Sequence, residues 1–213
     1  MIKIAPSLLA ADPLNLGNDA RRMTEAGCDW LHVDVMDAHF VPNLAFSPDT
    51  VRGLKKIAGV PLDVHLMMDD PGKYLDVFLE AGADWLTIHA EASGDMRELL
   101  NRIRRGGAKA GLALKPRTGI EAAEPYLADA DMILTMTVEP GFGGQKLDES
   151  VLDKISALRQ AGYAGEIEAD GGIREDNLEL LAANGLTVAV MGTALFRNED
   201  MAACVKRLHK IGK

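Results

Sequence analysis

The sequence predicts an α/β fold in which eight parallel strands close into one (β/α)8 barrel. Three observations predict it: β-rich runs recur eight times, helix-forming stretches separate them, and the spacing stays even along the chain. Strict alternation indicates a parallel sheet covered by helices. An open doubly wound sheet fits alternation equally well, but eight even units without a break favour a barrel. We therefore expect a single (β/α)8-barrel domain, residues 1–213.

The eight predicted strands are short and rich in apolar and β-branched residues. They are Lys3 to Pro6, Trp30 to Val35, Leu62 to Leu66, Trp85 to His89, Ala110 to Leu114, Met132 to Thr137, Glu166 to Asp170 and Val188 to Met191. Between them, apolar residues recur three and four apart among strong helix formers, which predicts helices. Such stretches are ARRMTEAG, PGKYLDVFLEAG, MRELLNRIRRGG, VLDKISALRQAG and NLELLAANG.

Several predicted helices end in a glycine, which can adopt the left-handed conformation beyond a helix C-terminus. These are Gly27, Gly82, Gly162 and Gly185. The segment AGCDWL at 26–31 recurs as AGADWL at 81–86, and less similar segments lie at 129–133 and 184–188. The repeat indicates a recurring joint between a helix and the next strand.

Charge and composition exclude several classes of partner. The formal net charge of -9 repels nucleic acid and anionic lipid on average, so we expect neither as a partner. An acidic protein can still bind a phosphorylated metabolite through local backbone N–H groups. No stretch resembles a signal peptide or a membrane span, so we expect a cytoplasmic protein, and also a homo-oligomer.

The two cysteines, Cys28 and Cys204, lie in segments predicted to be helical and form no CxxC pair. A disulfide framework or a structural zinc site is therefore not expected, and both residues are interpreted as buried thiols.

Polar side chains gather where the predicted strands end, which is the active face of such barrels. In LHVDVMD, residues His32, Asp34 and Met36 lie two apart and point to one side of the strand, as Asp63, His65 and Met67 do in LDVHLMM. Asp170 ends the seventh strand. Each residue alone is more often structural, but together they favour a mixed N/O site for Zn²⁺ or Fe²⁺.

Glycine-rich turns follow the last three predicted strands. They comprise Gly141, Phe142, Gly143 and Gly144, then Gly171 and Gly172, then Gly192 with Thr193. Loops after the seventh and eighth strands are the usual phosphate site of this fold. One such turn alone is usually only a turn, whereas three neighbouring turns favour a phosphate site.

Seven strings of this sequence resemble, in order, the signatures of the ribulose-phosphate 3-epimerase family. They are APSLLAAD, HVDVMDAHFVPNLAFSP, DVHLMM, GLALKPRT, MTVEPGFGGQKL, EADGGI and GTALF, and they extend from residue 5 to residue 196. The resemblance implies a TIM barrel of the ribulose-phosphate-binding type and a 3-epimerase of the pentose phosphate pathway. The implied substrates are D-ribulose 5-phosphate and D-xylulose 5-phosphate.

The resemblance also implies roles for individual residues. His32, Asp34, His65 and Asp170 would hold one divalent metal ion, Zn²⁺ or Fe²⁺, with Mn²⁺ or Co²⁺ as alternatives. Asp34 and Asp170 would also be the catalytic acid/base pair. Substrate contacts would come from Ser7, His65, Asp170, Gly141, Phe142, Gly143, Gly144, Gly171, Gly172, Gly192 and Thr193. Met36, Met67 and Met136 would form an apolar lid over the reacting carbons, although ordinary barrel filling explains them equally well.

The implied chemistry requires this arrangement. Inverting a carbon beside a ketone removes its proton on one face, passes through an enediolate and returns a proton on the other face. One acid/base group is therefore needed on each side, and a metal ion would stabilise the developing negative charge. His39 and His89 are left outside the catalytic set, since a surface or structural role fits them as well.

Four residues depart from the commonest family strings: Ala38 for glycine, Lys115 for asparagine, Ala169 for valine and Thr193 for serine. None removes a predicted ligand or base, but the choice of substrate stays open. A sister 3-epimerase of a ketohexose 6-phosphate, such as D-allulose 6-phosphate, would use the same groups. Aldol or decarboxylation chemistry would need a lysine, for which only Lys115 is placed. A non-catalytic sugar-phosphate binder would not need two carboxylates at one metal.

Overall fold

The computed structural model describes residues 1–211 and shows parallel strands curled into a barrel inside a ring of helices. The strands are β1 Lys3–Pro6, β2 Leu31–Asp37, β3 Leu44–Ala45, β4 Leu62–Met67, β5 Trp85–His89, β6 Lys109–Leu114, β7 Met132–Met136, β8 Glu166–Asp170 and β9 Val188–Met191. All eight predicted strands are present, and only the two-residue β3 has no predicted counterpart. Residues 212 and 213, the end of the predicted domain, lie outside the described residues.

Eight of these strands form the barrel, each parallel to its neighbours, in the order β1, β2, β4, β5, β6, β7, β8, β9. The barrel closes between β1 and β2, where Ser7 bridges to His32 and the Asp29 N–H donates to the Ile4 carbonyl at 3.0 Å. The prediction of a closed barrel is confirmed, and the open doubly wound sheet is excluded. Strand β3 pairs antiparallel with the end of β2.

The helices are α1 Leu16–Glu25, α2 Pro48–Lys55, α3 Leu75–Ala81, α4 Met96–Arg105, α5 Leu152–Gln160, α6 Glu175–Ala183, α7 Thr193–Phe196 and α8 Met201–Leu208. The strand β6 is followed by two 3-10 turns, Ile120–Ala122 and Glu124–Tyr126, instead of an α-helix. Pro125 lies at the start of the second turn and has no backbone N–H to donate to a longer helix. Alternation alone did not predict this interruption.

The predicted location of one cysteine is wrong. Cys204 lies in α8, but Cys28 lies in the loop after α1, because Gly27 adopts a φ of 90° and directs the chain out of the helix. Both cysteines are free and buried, as predicted.

The inside of the barrel changes from apolar to polar along its axis. At the bottom, the rings of Trp30 and Trp85 pack with centroids 4.7 Å apart. Above them lies a layer of polar side chains that includes His32, Asp63 and Glu168, all with no exposure to solvent. Burying so many ionisable groups is costly unless each is paired or serves a function. This polar layer lies directly beneath the active face.

The repeated joint of the sequence has a structural role. The aspartate of each repeat accepts a hydrogen bond from a backbone N–H at or near the start of a neighbouring strand. The pairs are Asp29 with Ile4 at 2.7 Å, Asp84 with Leu62 at 2.8 Å and Asp131 with Ala110 at 3.0 Å. At the fourth joint Thr187 Oγ accepts from Ile167 N–H at 2.9 Å. The repeat therefore stabilises the lower rim of the barrel, at the end opposite the active face.

The loop after β2 contains a strained residue. Ala38 has a φ of 61°, in the left-handed region where a Cβ costs about 1–2 kcal/mol. Glycine would remove that cost and lose about 0.4–1 kcal/mol through the greater entropy of the unfolded chain. We expect Ala38→Gly to raise the free energy of unfolding by about 0.5–1 kcal/mol in urea titrations.

Ala161→Gly is the matched control, since Ala161 is also exposed but has a φ of -70°. It should lower the free energy of unfolding by about 0.4–1 kcal/mol. A loss of stability in both variants would show that Ala38 is not strained.

Candidate active site

Four side chains converge at the top of the polar layer. His32 and Asp34 come from β2, His65 from β4 and Asp170 from β8, and each offers one ligand atom within 4.8 Å of the others. One oxygen of Asp34 lies centrally, 3.3 Å from His32 Nε2 and 3.5 Å from His65 Nδ1. The structure thus brings together the four residues that the sequence suggested as metal ligands.

Two atoms of this cluster have no hydrogen-bond partner among residues 1–211. They are His32 Nε2 and His65 Nδ1, both fully buried and both facing Asp34. A buried imidazole nitrogen without a partner is costly, and a metal ion would satisfy it. Two imidazole nitrogens and two carboxylates form a donor set that Zn²⁺ and Fe²⁺ accept. The cluster therefore fits a divalent cation, whose identity the donor set does not determine.

The other nitrogen of His32 contacts residues that the sequence analysis did not assign to the site. His32 Nδ1 lies 2.5 Å from Asp63 Oδ2 and 3.7 Å from Glu168 Oε1. Burial and the nearby Asp63 carboxylate raise the pKa of Glu168 well above its ordinary value. Asp63 and Glu168 each lie two residues before a predicted ligand on the same strand, and this spacing was the available signal.

Hydrogen bonds link His65 to His89 and, through His89, to Glu91. Its Nε2 lies 2.9 Å from His89 Nε2, and His89 Nδ1 lies 3.1 Å from Glu91 Oε2. Burial lowers the pKa of His89 to about 4, so this side chain is neutral. Burial opposes ionisation of Glu91, but hydrogen bonds from His89, Thr118 and the backbone of Lys115 lower its pKa to about 2.

The two aspartates of the cluster differ in protonation. Burial disfavours the charged form of Asp34, but the neighbouring His32 and His65 imidazoles outweigh it and hold its pKa below the ordinary value. Burial and the neighbouring Asp34 carboxylate raise the pKa of Asp170 to about 7. Ser7 Oγ also donates to Asp34 Oδ2 at 2.7 Å. Two carboxyl groups with separated pKa values are typical of an acid/base pair.

A cavity of about 560 Å³ opens above the cluster. Asp34 and Asp170 line it, together with Ser7, Met36, Met67 and Met136 and with all residues of the three predicted glycine-rich turns. His32 and His65 have no solvent exposure and lie beneath the cavity floor. The structure therefore places the predicted metal, substrate and lid residues around one site.

The glycines of the turn after β8 are required by close packing. Gly171 and Gly172 have φ values of 123° and 64°, which side chains with a Cβ rarely adopt. A Cβ on Gly172 would also overlap the backbone of residues 145–147, and one on Gly171 would overlap the Val138 side chain. These glycines bring two loops together at the rim of the cavity.

No lysine lines this cavity within the described part of the chain. Lys115, the candidate for Schiff-base chemistry, places its Nζ 3.8 Å from the centre of the Phe40 ring. The structure thus gives aldol or decarboxylation chemistry no amine at the site.

No helix within residues 1–211 has the length and hydropathy needed to cross a bilayer. The expected cytoplasmic location and homo-oligomeric assembly stay predictions.

Fold and site together define a (β/α)8-barrel enzyme with a buried two-histidine, two-aspartate cluster beneath a glycine-rimmed cavity. The model of the ribulose-phosphate 3-epimerase family matches residues 3–196. The chain belongs to this family, which places it among the isomerases.

Curated relatives agree with this assignment. Ribulose-phosphate 3-epimerase of Bacillus subtilis (strain 168) is 40% identical over 213 residues, covering 98% of each chain. The Mycobacterium bovis protein of the same name is 44% identical and covers 97% of this chain and 91% of its own.

Among solved structures, KGPDC from Streptococcus mutans superposes with a TM-score of 0.78 at 15% identity, covering 100% of both chains. The 3-hexulose-6-phosphate synthase of Salmonella typhimurium gives 0.74 at 15% identity, covering 99% of this chain and 98% of its own. At such identities the likeness shows the barrel fold alone.

Proposed function

We propose that the protein interconverts D-ribulose 5-phosphate and D-xylulose 5-phosphate, with a divalent cation held by His32, Asp34, His65 and Asp170. One observation carries the proposal: Asp34 and Asp170, from two different strands, line the floor of the same cavity. Family membership and relatives named ribulose-phosphate 3-epimerase support it.

In this proposal the two aspartates exchange protons with one carbon from its two faces. For one epimer, Asp34 takes the proton from the carbon beside the ketone, while Asp170 returns a proton on the other face. For the other epimer the roles reverse. Asp34 and Asp170 lie on β2 and β8, which two barrel strands separate, so the substrate can lie between them.

The remaining residues bind and orient the substrate in this proposal. A bound cation would act as a Lewis acid toward the negative charge that develops on the substrate oxygens. Ser7 donates to Asp34 and fixes the direction of its carboxylate. Backbone N–H groups of the loops after β7, β8 and β9 would bind the phosphate. Met36, Met67 and Met136 would cover the reacting carbons and limit the entry of water.

Exchange of the C3 hydrogen in deuterated water tests the proposal. With metal-loaded protein and D-ribulose 5-phosphate, we expect deuterium at C3 of both recovered sugars and conversion to D-xylulose 5-phosphate. The same assay is run on D-allulose 6-phosphate. Faster conversion of D-allulose 6-phosphate would show that the substrate is a ketohexose phosphate rather than a pentulose phosphate. Absence of exchange on both sugars would contradict a 3-epimerase.

Metal binding should depend on pH, because a ligand must lose its proton before it binds. Asp170, with its pKa raised to about 7, is protonated in the metal-free protein below that pH. Burial disfavours charge on His32, but Asp63 and Asp34 outweigh it and raise its pKa well above the ordinary value, which adds a second proton.

We expect the affinity for Co²⁺ to rise at least about tenfold per pH unit between about pH 5 and 7, with a smaller slope above pH 7. Calorimetry in two buffers of different ionisation enthalpy measures the released protons directly. An affinity that stays constant below pH 7 would contradict the protonated state of Asp170.

A further inference from the structure

His89 and Glu91 have no role in the proposed reaction, but hydrogen bonds link them to the metal-ligand cluster. His89 is fully buried at the end of β5, and Glu91 follows it two residues later. They connect to His65 through two consecutive hydrogen bonds of 2.9 and 3.1 Å. The ring centroids of His65 and His89 lie 5.0 Å apart and their planes differ by 29°, while their Nε2 atoms are only 2.9 Å apart, so the two Nε2 atoms face each other and one can donate to the other.

Glu91 determines the position of the proton on His89. Its Oε1 accepts hydrogen bonds from the Lys115 N–H at 2.8 Å and from the Thr118 hydroxyl, and its Oε2 faces His89 Nδ1. A carboxylate only accepts hydrogen bonds, so His89 Nδ1 must carry the hydrogen. In the neutral imidazole, His89 Nε2 is then without a hydrogen and must accept.

The same reasoning extends to His65. Since His89 Nε2 accepts, His65 Nε2 must be the donor in the bond between them. A neutral His65 then has no hydrogen on Nδ1, which is the unpartnered nitrogen facing Asp34. The hydrogen bonds of Glu91 thus decide which nitrogen of His65 is available as a ligand.

We propose that Glu91 and His89 are positioning residues that fix His65 in the tautomer with a bare Nδ1 toward the cation site. The presence of a metal ion in this inference rests on the proposed function, whereas the tautomer of His65 does not. We call the hydrogen-bonded chain from Glu91 through His89 to His65 the relay. Phe40 helps to hold it, because the Phe40 ring centroid lies 4.6 Å from that of His89. Partners of this kind fix the ring orientation of a histidine ligand and typically alter metal affinity about 10- to 100-fold.

Glu91→Gln should invert the relay. The glutamine oxygen remains the acceptor for Lys115 N–H and Thr118, so its amide NH₂ faces His89 Nδ1. His89 then carries its hydrogen on Nε2 and donates to His65, whose hydrogen moves to Nδ1. We expect nitrogen NMR of metal-free protein with labelled histidine, assigned with His65→Asn, to show Nδ1 bare in the wild type and protonated in Glu91→Gln.

Metal affinity gives a second measurement, with Co²⁺ as the probe and chelator competition as the assay. Glu91→Gln and His89→Leu should each weaken binding about 10- to 100-fold. His89→Gln should retain most of the affinity, because a glutamine can accept from His65 and donate to Glu91. The control Glu124→Gln, on an exposed 3-10 turn, should bind as the wild type does.

These measurements separate the relay from the proposed function. A wild-type His65 protonated at Nδ1, or an unchanged tautomer in Glu91→Gln, overturns the relay even if the protein epimerises its substrate. Equal losses of affinity in His89→Leu and His89→Gln also overturn it, since they indicate packing alone. An inverted tautomer in a protein without epimerase activity supports the relay and contradicts only the proposed function.

Discussion

Asp170→Asn is expected to lower turnover by about 10²- to 10⁴-fold, the contribution of one positioned acid/base group, while the barrel still folds. Asparagine has nearly the same shape but can neither take nor return a proton. Asp170 lies at the end of β8 on the cavity floor, where burial and Asp34 raise its pKa to about 7. Steady-state conversion of the two pentulose phosphates measures the loss.

Asp170→Asn should also separate exchange of the C3 hydrogen from conversion of the sugar, two events that occur together in the wild type. Asp34 would still serve one face of the carbon, so one of the two sugars should exchange its C3 hydrogen with deuterated water faster than it is converted. Bound metal is measured alongside, because Asp170 is also a proposed ligand. Asp153→Asn, an exposed position at the start of α5, is the control and should keep full activity. Full turnover in Asp170→Asn would remove this residue from the mechanism.

Stability gives an independent check that the variant is folded. The pKa of Asp170 is raised from 3.8 to about 7 in the folded protein. The stabilising contribution of this carboxyl is therefore complete below pH 3.8 and is lost as the pH rises through about 7. Asparagine is neutral at every pH, so its contribution to stability does not fall as the pH rises. Metal-free Asp170→Asn should therefore be at least as stable as the metal-free wild type at about pH 8.

The barrel and its four-residue cluster could be predicted because both depend on short-range patterns. Alternation along β2 places His32, Asp34 and Met36 on one side, and the parallel register then brings Asp34 opposite His65. Helix ends were predictable for the same reason, since Gly27 and Gly82 adopt the left-handed conformation that their positions indicated.

The supporting residues of the site were not predictable in this way. His89 meets His65 only because β5 pairs with β4, and Glu91 reaches His89 because the loop after β5 folds back against Lys115 and Thr118. Such contacts depend on rotamers and loop conformation, which no periodicity specifies. The separated pKa values likewise depend on the closed barrel, because burial raises the pKa of Asp170, whereas His32 and His65 outweigh burial at Asp34.

Removal of the cation with a chelator is expected to lower turnover at least about 100-fold, since Lewis-acid stabilisation contributes several kcal/mol and about 1.4 kcal/mol corresponds to tenfold. Activity should return with Zn²⁺, Fe²⁺, Mn²⁺ or Co²⁺, and the order of recovery would identify the preferred ion. The same chelator saturated with Zn²⁺ is the control and should leave activity intact, because it has no free capacity to remove the cation.

The metal-free protein should also unfold at a lower temperature. Without a cation, His32 Nε2 and His65 Nδ1 are buried with no hydrogen-bond partner in the described structure. A cation present at 100 times its Kd would stabilise the fold by about 2.7 kcal/mol through mass action. Full turnover by protein shown to be metal-free by elemental analysis would contradict a catalytic role of the cation. A thermal shift without a change in turnover would make the cation structural, because a Lewis acid at the reacting oxygens must affect the rate.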